Sequence, residues 1–252
     1  MSDLPEQLTP WKRLKAYTDA RIALGRAGTS LPTAELLRFG QAHALARDAV
    51  HAGADFTALA GGETIQVRSQ AAHRSEYLRR PDLGRRLHPD SAALLRSQKV
   101  MPSPEVLVMV SDGLSAVAAT SHAPAVLAVL LPGLHNLGLK VAPLILATQA
   151  RVALADEAAE LLGARLAIHL IGERPGLSSP DSLGAYLTYA PKQGTLDSAR
   201  NCVSNIRPAG LEPALAAGKL LYLTSEALRR QLSGVDLKDE SGGVRRTLND
   251  AG

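Results

Sequence analysis

Cysteine occurs once in the 252 residues, tryptophan once and phenylalanine twice, and the aromatics together make up 3 % of the chain. A single Cys202 can neither staple a fold nor build a multi-cysteine metal site, so a reducing compartment is the natural setting. So few rings also leave little for stacking nucleic-acid bases, and no helix-turn-helix, zinc-finger or RNP pattern accompanies the arginines. The basic cluster from Leu78 to Arg86 and the sequence pI of 9.4 therefore read as solvated faces and subunit ion pairs; no nucleic-acid partner is expected, and a basic nucleic-acid-binding protein is the lesser alternative.

No run of about 18 uninterrupted apolar residues is present. The first residues, Met1-Ser2-Asp3-Leu4-Pro5-Glu6, have neither a basic start nor an apolar signal core, so export and membrane spanning are not expected. The first buried strand is not followed by G-x-G-x-x-G, and G-x-x-x-x-G-K-[ST] is absent, which leaves hydride and phosphoryl transfer unsupported. The seven histidines include no H-E-x-x-H, and Ser111, Ser115 and Ser178 lack a G-x-S-x-G elbow, so a self-contained hydrolase is not indicated.

What remains is an ordinary globular composition, 46 % apolar with mean hydropathy near zero, and a sharp change of pattern along the chain. Residues 1–100 read as a mostly helical, arginine-rich region suited to subunit contacts. Thr33 serves there as the N-cap of a helix whose apolar positions are Leu36, Leu37, Phe39, Leu45, Ala46, Ala49 and Val50. A second helix is expected over Pro89–Gln98, and Ile65–Ser69 alternates like a short strand.

Residues 101–234 read as an α/β domain. The run Val106–Val110 is apolar on both faces, as in a parallel strand covered by helices. It is followed by a helix over about Ala123–Leu137 closed by Gly138, a strand Val141–Leu146, a helix Asp156–Leu162 closed by Gly163, and a strand Leu166–Ile171. Right-handed crossovers bring the ends of these strands to one rim. That rim carries Ser111-Asp112-Gly113, Gln149–Val152 and Gly172–Gly176. A further strand is expected at Ala185–Tyr189, a polar turn at Arg200–Ile206 and a helix over about Pro213–Leu232, while the polar stretch 235–252 reads as a disordered tail.

Three candidate residues can be weighed on spacing. Asp48-Ala49-Val50-His51-Ala52-Gly53 has a D-x-x-H-x-G spacing in place of the D-x-H-x-x-G by which some proteins ligate cobalamin cobalt, so His51 reads as a surface or interface histidine. Glu173 at a strand end before Pro175-Gly176 suits an acceptor aimed into the rim equally as well as a strand-end carboxylate held by Arg174 or an N-cap. Cys202, with no basic neighbour, reads as a small inert side chain.

Five segments in register resemble the small subunit of ethanolamine ammonia-lyase: Ala20–Gly28, Leu78–Leu87, Val110–Ser115, Gly172–Ser182 and Arg200–Ile206. The resemblance covers about residues 10–235. It implies a Rossmann-like domain that contributes to an adenosylcobalamin site, the cofactor keeping its own base, at the interface with a large catalytic subunit in a hetero-oligomer. It implies no catalytic residue here, and a lyase that is active only with the large subunit, converting ethanolamine to acetaldehyde and ammonia. It carries cofactor-binding positions onto Val152, Glu173 and Cys202. Another amino alcohol remains an alternative substrate for the complex. Some relatives have a longer extension before the equivalent of Trp11, associated with entry into a bacterial microcompartment. The cytoplasm is therefore expected ahead of a microcompartment lumen.

Overall fold

The computed structural model describes residues 13–18, 20–59, 62–98 and 102–241. It is a mixed α/β structure built on a six-stranded sheet. In chain order the main elements are α1 (Thr33–His51), β1 (Thr64–Arg68), α2 (Arg74–Arg79), α3 (Pro89–Ser97), β2 (Val106–Ser111), α4 (Ala116–Asn136), β3 (Leu144–Thr148), α5 (Leu154–Leu162), β4 (Leu166–Gly172), β5 (Leu183–Tyr189), β6 (Arg200–Ile206) and α6 (Pro213–Arg230).

The strand order is β1-β3-β2-β4-β5-β6. The first four strands are parallel, and β5 and β6 close one side in antiparallel pairing, so the parallel sheet expected from sequence holds for the centre only. The steps β1→β2 and β3→β4 run one way across the sheet, with α3 and α5 on one face. The step β2→β3 runs back with α4 on the other, as right-handed crossovers require. One core lies between the sheet and α4 and α6, through Val106, Val108, Val110, Leu130, Ile168 and Leu220. The other joins Met109, Ile145 and Ala167 to Leu95 of α3 and Leu154 of α5. Burying each large aliphatic contributes about 1.5–3 kcal/mol.

Several boundaries differ from the sequence reading, each for a local reason. Thr33 is the first helical residue of α1 and Pro32 takes the cap position, with no side-chain cap hydrogen bond. α4 begins at Ala116 rather than near Ala123, because the Ser115 hydroxyl accepts from the Ala118 N–H and the buried face holds the helix through Pro124. β3 begins at Leu144, since Pro143 has no N–H to give the ladder; Val141 makes only an isolated bridge to Val106. Gly138 and Gly163 stop their helices with φ of 74° and 75°, the left-handed conformation glycine adopts without strain.

Arg200–Ile206 is a strand and not a polar turn. It is the edge of the sheet with one face uncovered, so only Arg200, Val203 and Ile206 are buried. The sheet also reaches back before residue 101 through β1. Part of the expected tail packs: Gly234–Asp236 forms a 3-10 turn, Leu237 is buried in the core, and Lys219 pairs with Asp239 at 2.5 Å. Residues 242–252 lie outside the described residues.

α4 is 21 residues long and apolar enough to span a membrane by composition, but nine of its residues are buried against the sheet and α6.

Candidate functional site

The rim between β2 and β4, where parallel sheets commonly bind ligands, is filled by backbone. Gly113 has φ of 52°, and a Cβ there would lie 2.2 Å from the Gly172 carbonyl oxygen. The Leu114 N–H donates to that same oxygen at 2.8 Å. Beside it the Asp112 carboxylate is buried, accepting from the Ala150 N–H at 3.3 Å and facing Arg74 Nη1 at 3.3 Å; burial raises its pKa above the ordinary carboxylate range. Tyr77, fully buried, lies between the guanidinium groups of Arg74 and Arg151, 4.8 and 4.4 Å from its ring centre. This corner is a packed structural joint.

The accessible surface lies to one side, over β5 and β6. Across the sheet, Ile65, Ile145, Met109, His169, Tyr186 and Cys202 form one row of register partners and therefore share a face. α3 and α5 cover this face over β1, β3, β2 and β4. Beyond β4 the row opens: His169 is buried, Tyr186 is half-buried and Cys202 is exposed.

Glu173 reaches the same face from the end of β4. Its N–H donates to the Ser182 carbonyl at 2.9 Å, continuing the ladder by one residue. Its Oε2 accepts from the Ser182 hydroxyl at 2.5 Å and from the Asn205 N–H at 3.3 Å. The Asn205 N–H points there because β6 bulges opposite Gly184 and Asn205 adopts φ of 56°. Oε1 lies over Gly184, whose missing side chain makes the space; a Cβ there would meet it at 2.8 Å. Among the described residues no donor takes Oε1, so the carboxylate keeps one acceptor free on the open face.

The intervening loop is tied down at its far end. Asp181 accepts from His122 Nε2 at 2.9 Å and pairs with Arg207 at 3.5 Å. The Ser115 hydroxyl donates to the Pro180 carbonyl at 3.0 Å.

Val152 stands at the entry to α5, where its carbonyl accepts from His169 Nδ1 at 3.1 Å. A carbonyl can only accept, so Nδ1 carries the proton and Nε2 accepts from the Ser111 hydroxyl at 2.7 Å. Burial lowers the His169 pKa to about 4, which keeps the ring neutral. Behind this wall Arg200 forms a two-pronged ion pair with Asp156 of α5, both bonds 2.7 Å and both side chains buried, fixing the helix against β6. A cavity of about 360 Å³ runs from Ala153 to Arg200, two residues short of Cys202, with Arg85 and Arg86 at its side.

Val152, Glu173 and Cys202 thus come from three separate segments onto one side of the sheet. Although the residue is exposed as a whole, desolvation of its sulfur raises the Cys202 thiol above its ordinary value; a hydrogen bond from Tyr186 works against this and the Glu173 charge adds to it, so near neutral pH it is a protonated thiol and a poor nucleophile. His51 is exposed at the end of α1. Among the described residues no three His, Cys, Asp or Glu side chains cluster as metal ligands. Sequence reasoning missed the supporting residues Ser182, Gly184, Tyr186, Asn205 and His169. A glycine inside an apolar strand is a legible signal of close approach, which would have drawn attention to Gly184. The bulge at Asn205 left none.

The open part of the face presents acceptors, a thiol and a ring, while the Ser111–His169 hydroxyl–imidazole pair is buried beneath it. The family model for the ethanolamine ammonia-lyase light chain matches residues 8–238. A small subunit of ethanolamine ammonia-lyase from Azotobacter vinelandii is 54 % identical, the match covering 97 % of this chain and 94 % of that one. Those from Pseudomonas putida and Ralstonia nicotianae are 53 % and 52 % identical, covering 94 % of this chain and 90 % and 92 % of theirs. A family match over nearly the whole length, joined to relatives with more than half their residues in common, establishes that this chain belongs to the ethanolamine ammonia-lyase small-subunit family.

Proposed function

We propose that this chain forms one wall of an adenosylcobalamin site, completed by the large catalytic subunit of ethanolamine ammonia-lyase. The observation that carries the reading is the convergence of Val152, Glu173 and Cys202 on the uncovered face of β5 and β6, with Glu173 Oε1 above Gly184 taken by no donor among the described residues. Cobalamin is rimmed with primary carboxamides and carries a flat macrocycle, so it needs acceptors for N–H groups and a broad, shallow surface. An open sheet face with a fixed carboxylate suits both.

Held by Val152, Glu173 and Cys202, the cofactor would supply the radical-generating cobalt–carbon chemistry, which these side chains do not themselves provide. The part of this chain is to hold and orient. Glu173 accepts a carboxamide N–H, Cys202 gives a small, close-packing surface, and the α5 entry at Val152 bounds the site. The one histidine in the sheet row, His169, has both ring nitrogens engaged, which supports a cofactor that keeps its own lower base. The right-handed β-α-β units support a Rossmann-like description of the sheet domain, with a helical N-terminal region before it.

The large subunit has a candidate landing surface in α1. Leu36, Leu37, Phe39 and Leu45 are 43–68 % exposed there, and Ala49 is the buried residue of the helix. The reading locates the complex in the cytoplasm or in the lumen of a bacterial microcompartment. Co-expression with the large subunit, followed by cobalamin binding and ethanolamine turnover, tests it. The reading requires both in the complex and no turnover by this chain alone. Another amino alcohol turned over in preference to ethanolamine would reassign the substrate and leave the cofactor role intact.

A further inference from the structure

We infer that Tyr186 is a further cofactor-contacting residue, its ring forming the floor of the open face and its hydroxyl donating to a carboxamide carbonyl of the ligand. The inference rests on the cobalamin reading above and adds to it a donor that complements the acceptor at Glu173.

Tyr186 lies between the two groups already assigned to the face. It is the register partner of Cys202 on one side and of His169 on the other. Two residues before it in β5, on the same face, is Gly184, over which Glu173 lies. The buried members of this row, Ile145, Met109 and His169, are covered by helices or have their polar atoms paired. Tyr186 is the first large side chain beyond that cover, and it is half-buried.

Its hydroxyl has only a weak neighbour. Among the described residues no nitrogen or oxygen accepts from it; it donates to the Cys202 sulfur, a weak acceptor that a carbonyl oxygen would displace. Tyr77 provides the contrast: a fully buried tyrosine here has its hydroxyl donating to the Ala150 carbonyl at 3.0 Å. Partial burial raises the Tyr186 pKa well above its ordinary value, so the group stays a phenol and a donor at any physiological pH. A donor held only by a sulfur, beside a carboxylate oxygen that no described residue takes, matches a primary carboxamide, which offers one carbonyl and two N–H groups. A purely apolar ligand would leave both unpaired, and an anionic ligand would meet Glu173.

The test uses the assembled complex of this chain with the large subunit and measures equilibrium affinity for hydroxocobalamin by its absorbance. Tyr186→Phe keeps the ring and removes the donor, and should weaken binding about 3- to 10-fold, while Tyr186→Leu removes both and should weaken it roughly 10-fold or more. Melting temperature of the complex should stay unchanged in the Phe variant while affinity falls, which a merely structural role would not predict. Glu173→Ala is measured alongside. If Glu173→Ala weakens binding and both Tyr186 variants bind as wild type, the inference is wrong and the cobalamin reading stands. If Glu173→Ala also binds as wild type, the reading beneath it fails as well. Should the Leu variant not assemble, the Phe variant alone decides.

Discussion

The Glu173 carboxylate rests on Gly184: its Oε1 occupies the space in which a side chain at 184 would begin, 2.8 Å from where that Cβ would sit. Ser182 and Asn205 hold the other oxygen, so the group is pinned to the sheet instead of sweeping through solvent. Preorganisation of this kind lowers the ordering cost of binding.

Gly184→Val should therefore act like a change at Glu173 itself. The branched side chain displaces the carboxylate from the open face, and cobalamin affinity of the complex should fall roughly 10-fold or more, with the fold retained. Equilibrium dialysis against hydroxocobalamin checks this, with circular dichroism as the control.

The buried pair Arg200–Asp156 ties α5 to β6 through two 2.7 Å hydrogen bonds. Asp156→Ala should destabilise the chain by about 3–5 kcal/mol, because it leaves the guanidinium buried without its partner. Urea unfolding measures the loss. A change below about 1 kcal/mol would mean that Asp197 and the Thr195 carbonyl carry the charge unaided.

His169 gives the fold an acid-side weakness. Its pKa in the fold is about 4 against 6.5 for the free side chain, so between those values the unfolded chain binds the extra proton and stability falls as pH falls. Its contribution above pH 7 is constant, and at pH 5 the native state should be about 2 kcal/mol less stable than at pH 7 from this group. His169→Gln should remove that slope. Unfolding free energies of both proteins at the two pH values test it, and an equal slope in the variant would assign the acid sensitivity elsewhere.

The exposed leucines of α1 should matter to assembly and not to folding. Leu36→Glu with Leu37→Glu should leave the stability of the isolated chain within about 0.5 kcal/mol per site. Co-purification with the large subunit should be lost. A complex that forms normally would move the docking surface off α1.

What was legible in the sequence follows burial. β2 was readable because Val106–Val110 is covered on both faces and every residue is apolar. α5 was readable because Gly163 marks its end. β6 was not, because an edge strand with an open face carries Asn201, Cys202, Ser204 and Asn205 and looks like a turn. The start of α4 was hidden by Pro124, which usually begins a helix and here lies inside one. Val152, Glu173 and Cys202 entered by family resemblance. Spacing alone left Glu173 undecided, because the free oxygen that gives it meaning depends on Ser182, Gly184 and a bulge at Asn205, contacts of long sequence range with no local pattern.

The most direct test of the account is a cobalamin titration of the assembled complex carrying Glu173→Ala, with ethanolamine turnover followed at each point. Losing a charged acceptor in a largely water-excluded site costs about 1.5–3 kcal/mol, so affinity should fall roughly 10- to 150-fold. Turnover at saturating cofactor should match the wild type, because in the proposed role this chain would hold the cofactor without touching the reacting bond. Normal affinity with slow turnover at saturation would contradict the account, and would put Glu173 in the chemistry.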